Sequence, residues 1–278
     1  MDINHLSVSR KKTFDQCSQL YKFKYHLKTP SPQPEPFYFV YGNLVHKIAE
    51  LYVAEKGSKA IDKIALDVLH GKIELKEGKK CPKLPKEYQN KIGKDIKAIK
   101  NLTKKIGFDG YVEYDFTYDL DPPNKKNVIG FIDRLIIKED SKQKKAFIID
   151  YKTTKKGKHR LNNETVLYDL QLRCYCRVVQ KIFDIPASNI KAALFYLDGE
   201  NLIAAQYNQD SLDRVEKELK NGYVTIEETK SETVRGSVGW HCKNCEYSSI
   251  CQFYKSQNQS NESWNGDLLE LGHDNSWN

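Results

Sequence analysis

Two apolar runs, each carrying one acid, constrain this chain more than any other feature. VIGFIDRLIIK (128–138) contains Asp133, and AFIIDYKT (146–153) contains Asp150 seventeen residues later. Both are rich in Ile, Val and Phe and are bounded by polar segments, which predicts β-strands. The second is apolar in consecutive positions up to its acid, so it reads as a central strand covered on both faces. Strand side chains repeat every two residues, which puts Lys152 on the face of Asp150. Ahead of them YVEYDFTYDL (111–120) alternates aromatic and acidic residues, and the turn DPPNKKN joins it to the first run. A chain built this way has a sheet that holds acids in its interior.

The rest of the chain surrounds that sheet with helices. Residues 7–27 predict a helix with Phe14, Cys17, Leu20, Tyr21 and Tyr25 on its apolar face and Ser7 or Ser9 as N-cap. TPSPQPEP (29–36), with four prolines in eight positions, predicts an extended connector. Helical spacing returns from about Tyr41 to Glu55, over 59–71 and over 86–106. Beyond the third strand, 164–183 predicts a helix, 190–197 and 201–207 two strands, and 209–221 a last helix. The fold class is therefore α/β, a central mixed sheet flanked by helices. The polar segment 256–278 predicts a flexible tail. No apolar run is long enough to span a bilayer and the start lacks a secretion signal, so we place the chain in the cytoplasm, away from membranes.

Charge narrows the partners. Forty-five Lys and Arg against 37 Asp and Glu leave a net charge of +8, and only seven of the cations are Arg. Lysine meets phosphate as a point charge and reads bases poorly, so this balance suits a polyanion bound without regard to sequence. The aromatic and basic stretch RKKTFDQCSQLYKFKYHLK fits the same kind of partner.

Two carboxylates held about 4 Å apart repel by about 4 kcal/mol at an effective dielectric of 20, so Asp133 and Asp150 on neighbouring strands call for a cation. Oxygen ligands of this kind suit Mg2+ or Mn2+, which acidify water and offset charge on a phosphoryl oxygen. Lys152 would orient or help deprotonate the attacking water, or steady the developing anion. In GNLVHKIAE, Gly42, His46 and Glu50 recur every four residues and share a helix face, and a nitrogen from His46 shifts preference towards Mn2+. Gln171 and Tyr175 repeat that spacing in the helix after the central strand.

Seven cysteines in a chain without an export signal do not suggest a disulfide framework. Cys242, Cys245 and Cys251 follow the pattern C-x2-C-x5-C, which fits a tetrahedral zinc site or an iron-sulfur cluster, with Cys17, Cys81, Cys174 or Cys176 as the fourth thiolate.

The ordered set G42xxxH46, G130xxD133, D150xK152 and Q171xxxY175 resembles the RecB-like branch of the PD-(D/E)XK nuclease superfamily, including its iron-sulfur exonucleases of CRISPR-associated and phage type. The resemblance implies one nuclease domain over 1–255, with a helical insertion over about 56–108. It implies His46, Asp133, Asp150 and the Tyr151 carbonyl as metal ligands, Lys152 as catalytic lysine, and Gln171 and Tyr175 as positioning groups for substrate or water. Glu50 is implied as a supporting or occasional direct ligand, and Glu113 on the preceding strand is a further candidate. It also implies a 4Fe-4S cluster on Cys17, Cys242, Cys245 and Cys251, forming a clasp from 1–28 and 238–255, with zinc as the alternative. The activity implied is hydrolysis of DNA, single-stranded or at free ends, beside helicase, recombination or CRISPR adaptation partners. The competing reading is a binding or assembly module that keeps the fold without cleavage.

Overall fold

The computed structural model describes residues 1, 3–76, 78–139, 143–157 and 160–256. The tail expected over 256–278 lies, from residue 257 on, outside the described residues. Three strands form a meander, β1 (Tyr111–Asp121), β2 (Lys126–Glu139) and β3 (Lys144–Lys152). Helix α6 (Leu170–Phe183) then leads to β4 (Ile190–Tyr196) and β5 (Asn201–Ala205). The sheet order is β1-β2-β3-β4-β5; β3 and β4 run parallel, and the other neighbours are antiparallel. AFIIDYKT is thus the middle strand, as its continuous apolarity predicts.

Three helices cover one face of this sheet. They are α3 (Phe37–Ala54), α4 (Ile61–Leu69) and α5 (Lys86–Ile106), whose Leu44, Ile48, Ile64 and Ile99 share a core with Ile149, Tyr151 and Phe195. Helix α3 starts four residues earlier than its spacing predicts, directly after Pro36, and its first turn leaves Tyr38 and Phe39 exposed. Near the start of β1, Gly110 sits at φ +102° where a Cβ would lie 2.4 Å from the Leu135 carbonyl, so only glycine lets the chain enter the sheet there. The guanidinium of Arg134, fully buried on β2, donates to the carbonyls of Gly107 (3.1 Å) and Asp109 (2.6 Å) and pins the approach to that strand.

The chain divides into two compact units. One holds His5–Val8 and Phe37–Asn221, including the whole sheet. The other gathers Met1–Asn4, Ser9–Pro36 and the chain from Gly222 onward. In this second unit the predicted helix over 7–27 is broken. Helix α1 (Val8–Gln16) stops at Cys17, whose backbone is extended (φ −163°, ψ 110°), and α2 (Ser18–Tyr21) restarts and runs into a π-turn over Lys22–His26. The aromatic stripe survives the break, with Phe14 edge-on to Tyr21 at 5.4 Å and Tyr21 beside Tyr25 at 5.1 Å. A last helix, α7 (Gln209–Glu228), continues seven residues past its expected end. No helix among the described residues is long and apolar enough to cross a membrane.

Candidate active site and cysteine cluster

Pairing of β2 with β3 decides where the two aspartates meet. Arg134 lies opposite Ile149, so one step further the register sets Asp133 opposite Asp150. Asp133 is tied to the neighbouring strand through Oδ2, which accepts the Tyr151 N–H at 2.7 Å. Its Oδ1 lies 3.3 Å from Nδ1 of His46, delivered by α3, while Nε2 of the same ring is 3.1 Å from the Tyr151 carbonyl. Both contacts ask for a proton on the ring. Burial alone would lower the His46 pKa, but Asp133, followed by Asp150 and Glu113, outweighs it and pushes the group up to about 9. The Asp133 carboxyl is correspondingly held below its ordinary value, burial being overcome by His46, Lys152 and the Tyr151 N–H.

Glu113 completes this corner. Val112 pairs with Arg134 and Tyr114 with Ile132, which places Glu113 opposite Asp133, and its Oε1 is 3.9 Å from His46 Nδ1. Its backbone is left-handed (φ 45°), a conformation uncommon for a residue with a Cβ and a form of strain that concentrates at functional sites. Burial, then repulsion from Asp133, raises its carboxyl to about 7. One ligand atom each from His46, Glu113 and Asp133 lies within 4.8 Å of the other two. A divalent cation fits this donor set, because two crowded acids and an imidazole are stabilised by positive charge between them.

Asp150 and Lys152 form the adjoining half. Nζ of Lys152 is 2.6 Å from the buried Oδ2 of Asp150, an ion pair in close approach that lacks hydrogen-bond angles, so this oxygen keeps no hydrogen-bond partner. Burial raises Asp150 to about 6; Lys152 opposes the rise and Asp133 adds to it. Lys152 is half-buried, yet Asp150 raises its pKa above the ordinary lysine value and keeps it charged. The same Nζ donates to Oε1 of Gln171 at 3.1 Å, and Gln171 Nε2 donates to the Tyr175 hydroxyl at 2.8 Å. Asp169 orients this chain by capping α6, accepting the Leu172 N–H at 2.8 Å.

The structure therefore gathers His46, Asp133 and the Tyr151 carbonyl with Glu113, and strings Asp150, Lys152, Gln171 and Tyr175 alongside. Glu50, one turn beyond His46, is instead held by Lys47 at 3.0 Å through both carboxylate oxygens. Sequence reasoning ranked Glu113 behind Glu50. Acids recur along β1 at 113, 115, 119 and 121, and only strand register tells them apart. It missed Lys91, which bonds Asp95 at 2.6 Å and the carbonyl of Thr153 at 2.9 Å, fixing the residue that follows Lys152.

A family comparison decides the fold's affiliation: the profile of the PD-(D/E)XK nuclease superfamily matches residues 5–252. The chain belongs to the PD-(D/E)XK nuclease superfamily. A nuclease of this superfamily works on nucleic acid with divalent metal, and the His46, Glu113 and Asp133 corner is a candidate for that metal. Among curated proteins no match is found. Among solved structures, this nuclease is similar to a Eubacterium rectale protein provisionally described as an exonuclease, at 14% identity over 88% of each chain with a TM-score of 0.48. It is also similar to SSO0001, at 17% identity over 76% of this chain and 84% of the other, with a TM-score of 0.37.

In the second unit, Cys17, Cys242, Cys245 and Cys251 line one cavity of about 20 Å3. The extended backbone at Cys17 is what breaks the first helix. Burial raises the Cys245 thiol, and Cys242, Cys17 and Cys251 add to the rise. No three of these sulfurs come within 4.8 Å of one another among the described residues. Cys174 and Cys176 are buried on α6, where desolvation raises both thiols, Cys174 to about 12. Cys81 lies in a loop with its Sγ 3.4 Å from the Pro82 carbonyl.

Proposed function

We propose that this nuclease is a RecB-like, divalent-metal-dependent deoxyribonuclease that hydrolyses phosphodiester bonds of single-stranded DNA or DNA ends, acting as an exonuclease. The observation that carries the reading is the convergence of His46, Glu113 and Asp133 beside the Asp150 and Lys152 pair. His46, Asp133, Asp150, Glu113 and the Tyr151 carbonyl would hold Mn2+ or Mg2+. When bound, such an ion acidifies water and offsets charge on a phosphoryl oxygen. Lys152, kept charged by Asp150, steadies the anion that develops on phosphate. Gln171 fixes the ammonium of Lys152, and Tyr175 fixes Gln171, so this chain sets the direction from which water and phosphate are met.

The four cysteines are read as a 4Fe-4S clasp built from 1–28 and 238–255, with about 56–108 as a helical insertion. The cluster's role there is structural, since all four thiolates are used as ligands. Partners in keeping with such a nuclease are helicase, recombination or CRISPR adaptation proteins.

The test is digestion of end-labelled linear and covalently closed circular DNA by cluster-intact protein with Mn2+ or Mg2+, with Asp150→Ala as control. Metal-dependent loss of linear DNA that spares circles and disappears in Asp150→Ala supports the reading. Binding of DNA without any cut would favour the non-cleaving module.

A further inference from the structure

A groove of about 530 Å3 opens beside the start of α6, bordered by Tyr168, Arg173 and, from the first turns of α7, Arg214. Its volume lies within the range of about 300–1,000 Å3 typical of small-ligand sites. Tyr168 is 78% exposed, a large aromatic face left in water. Its backbone is tied to α6, because its carbonyl accepts from Arg173 at 3.2 Å. Arg173 is further held by Glu218 at 3.1 Å, and its buried Nε has no hydrogen-bond partner. Arg214 is exposed and forms no ion pair among the described residues; the nearby Asp213 is taken by Arg177 at 3.1 Å.

From these groups we infer that the groove holds one unpaired nucleotide of a single strand, its base stacked on Tyr168 and its phosphate met by Arg214. This deepens the proposed nuclease function and rests on it for the identity of the strand. Tyr168 precedes Gln171 by three residues, at most about 10 Å of chain, so the groove borders the start of the helix that carries Gln171. Base identity is not read here. The amide of Gln206 already donates to the Ser188 carbonyl at 2.6 Å, and Asn208 already accepts the Ser211 N–H at 2.9 Å. The assignment rests on a ring face and an exposed cation, and these recognise any base and any phosphate.

The experiment measures binding of fluorescein-labelled oligothymidylate by anisotropy with a chelator present, so that cleavage is not part of the readout. Tyr168→Ala is expected to weaken binding about 5- to 100-fold, and to lose that effect on an oligonucleotide abasic throughout. Arg214→Ala is expected to weaken both oligonucleotides and to reduce the slope of log K against log salt by about 0.7. Lys181→Ala, a charge-matched control on the last turn of α6, is expected to bind as the unaltered protein does. If Tyr168→Ala and Arg214→Ala bind like that control, the groove assignment is overturned. Equal losses for Tyr168→Ala on normal and abasic strands overturn it as well, because stacking is then not the source. Should the unaltered protein fail to cut DNA with Mn2+ while both variants still lose binding, the nuclease reading falls and the groove stands.

Discussion

Asp133 serves two neighbours with one carboxylate, the Tyr151 N–H through Oδ2 and the His46 ring through Oδ1, and this division shapes the proton chemistry of the corner. Without metal, His46 holds a proton up to about pH 9 and Glu113 up to about pH 7, both above their ordinary values. An ion taking ligands here competes with those protons, so Mn2+ affinity is expected to rise from pH 6 to 9 while proton release on binding falls, as followed by calorimetry. A pH-independent affinity would contradict the assignment of His46 and Glu113. For Glu113 the sign of the stability effect is also fixed. An acid with a raised folded-state pKa loses stability as pH rises from its unfolded value of about 4.5 through about 7. Glu113→Gln is therefore expected to stabilise the metal-free protein at pH 8 by about 1 to 2 kcal/mol, a figure reduced for the partial exposure of that side chain. The same variant is expected to bind Mn2+ about 10- to 100-fold more weakly. Denaturation and calorimetry on one preparation check both, and a destabilised Glu113→Gln would refute the crowding of acids at this corner.

At the scale of elements, α5 carries a buried polar device that its sequence spacing hides. Asp95, 1% exposed, accepts from the Tyr41 hydroxyl of α3 at 2.8 Å and from Lys91 at 2.6 Å, while Lys91 also reaches the Thr153 carbonyl. Asp95→Ala leaves Lys91 in place with its charge unpaired, and is expected to cost about 3 to 5 kcal/mol in urea unfolding. A loss below about 1 kcal/mol would mean that water replaces the carboxylate. Strands were legible from the sequence because apolar runs with a period of two, or none, survive burial unchanged; the sheet order and the parallel pairing of β3 with β4 were not. Helix breaks were less legible. Cys17 sits on the apolar stripe of the predicted 7–27 helix, and nothing in the residue types shows that its backbone turns extended to bring the thiol to three others. His46, Asp133 and Asp150 were legible as candidates from the order of their motifs. Glu113 was legible only as a further candidate, because its place depends on register against Asp133 and on a left-handed backbone, neither of which a spacing rule records.

Across the whole molecule, the proposed chemistry rests on the sheet and the proposed clasp on the cysteines at either end of the chain. Joining Cys17 to Cys242 closes a loop of more than two hundred residues, which removes about 4 to 5 kcal/mol of denatured-state entropy in the ideal-chain treatment. Cys245→Ser is expected to lose the brown absorbance of an iron-sulfur cluster and to melt at a lower temperature; an unchanged melting curve would refute the clasp. The nuclease account itself is tested most directly by anomalous diffraction from Mn2+-soaked crystals of protein that cleaves DNA. It predicts a peak about 2.0 to 2.3 Å from His46 nitrogen and from carboxylate oxygen of Asp133, with Glu113 or Asp150 completing the set. A manganese peak bound elsewhere, with these residues uncoordinated in active protein, would contradict it.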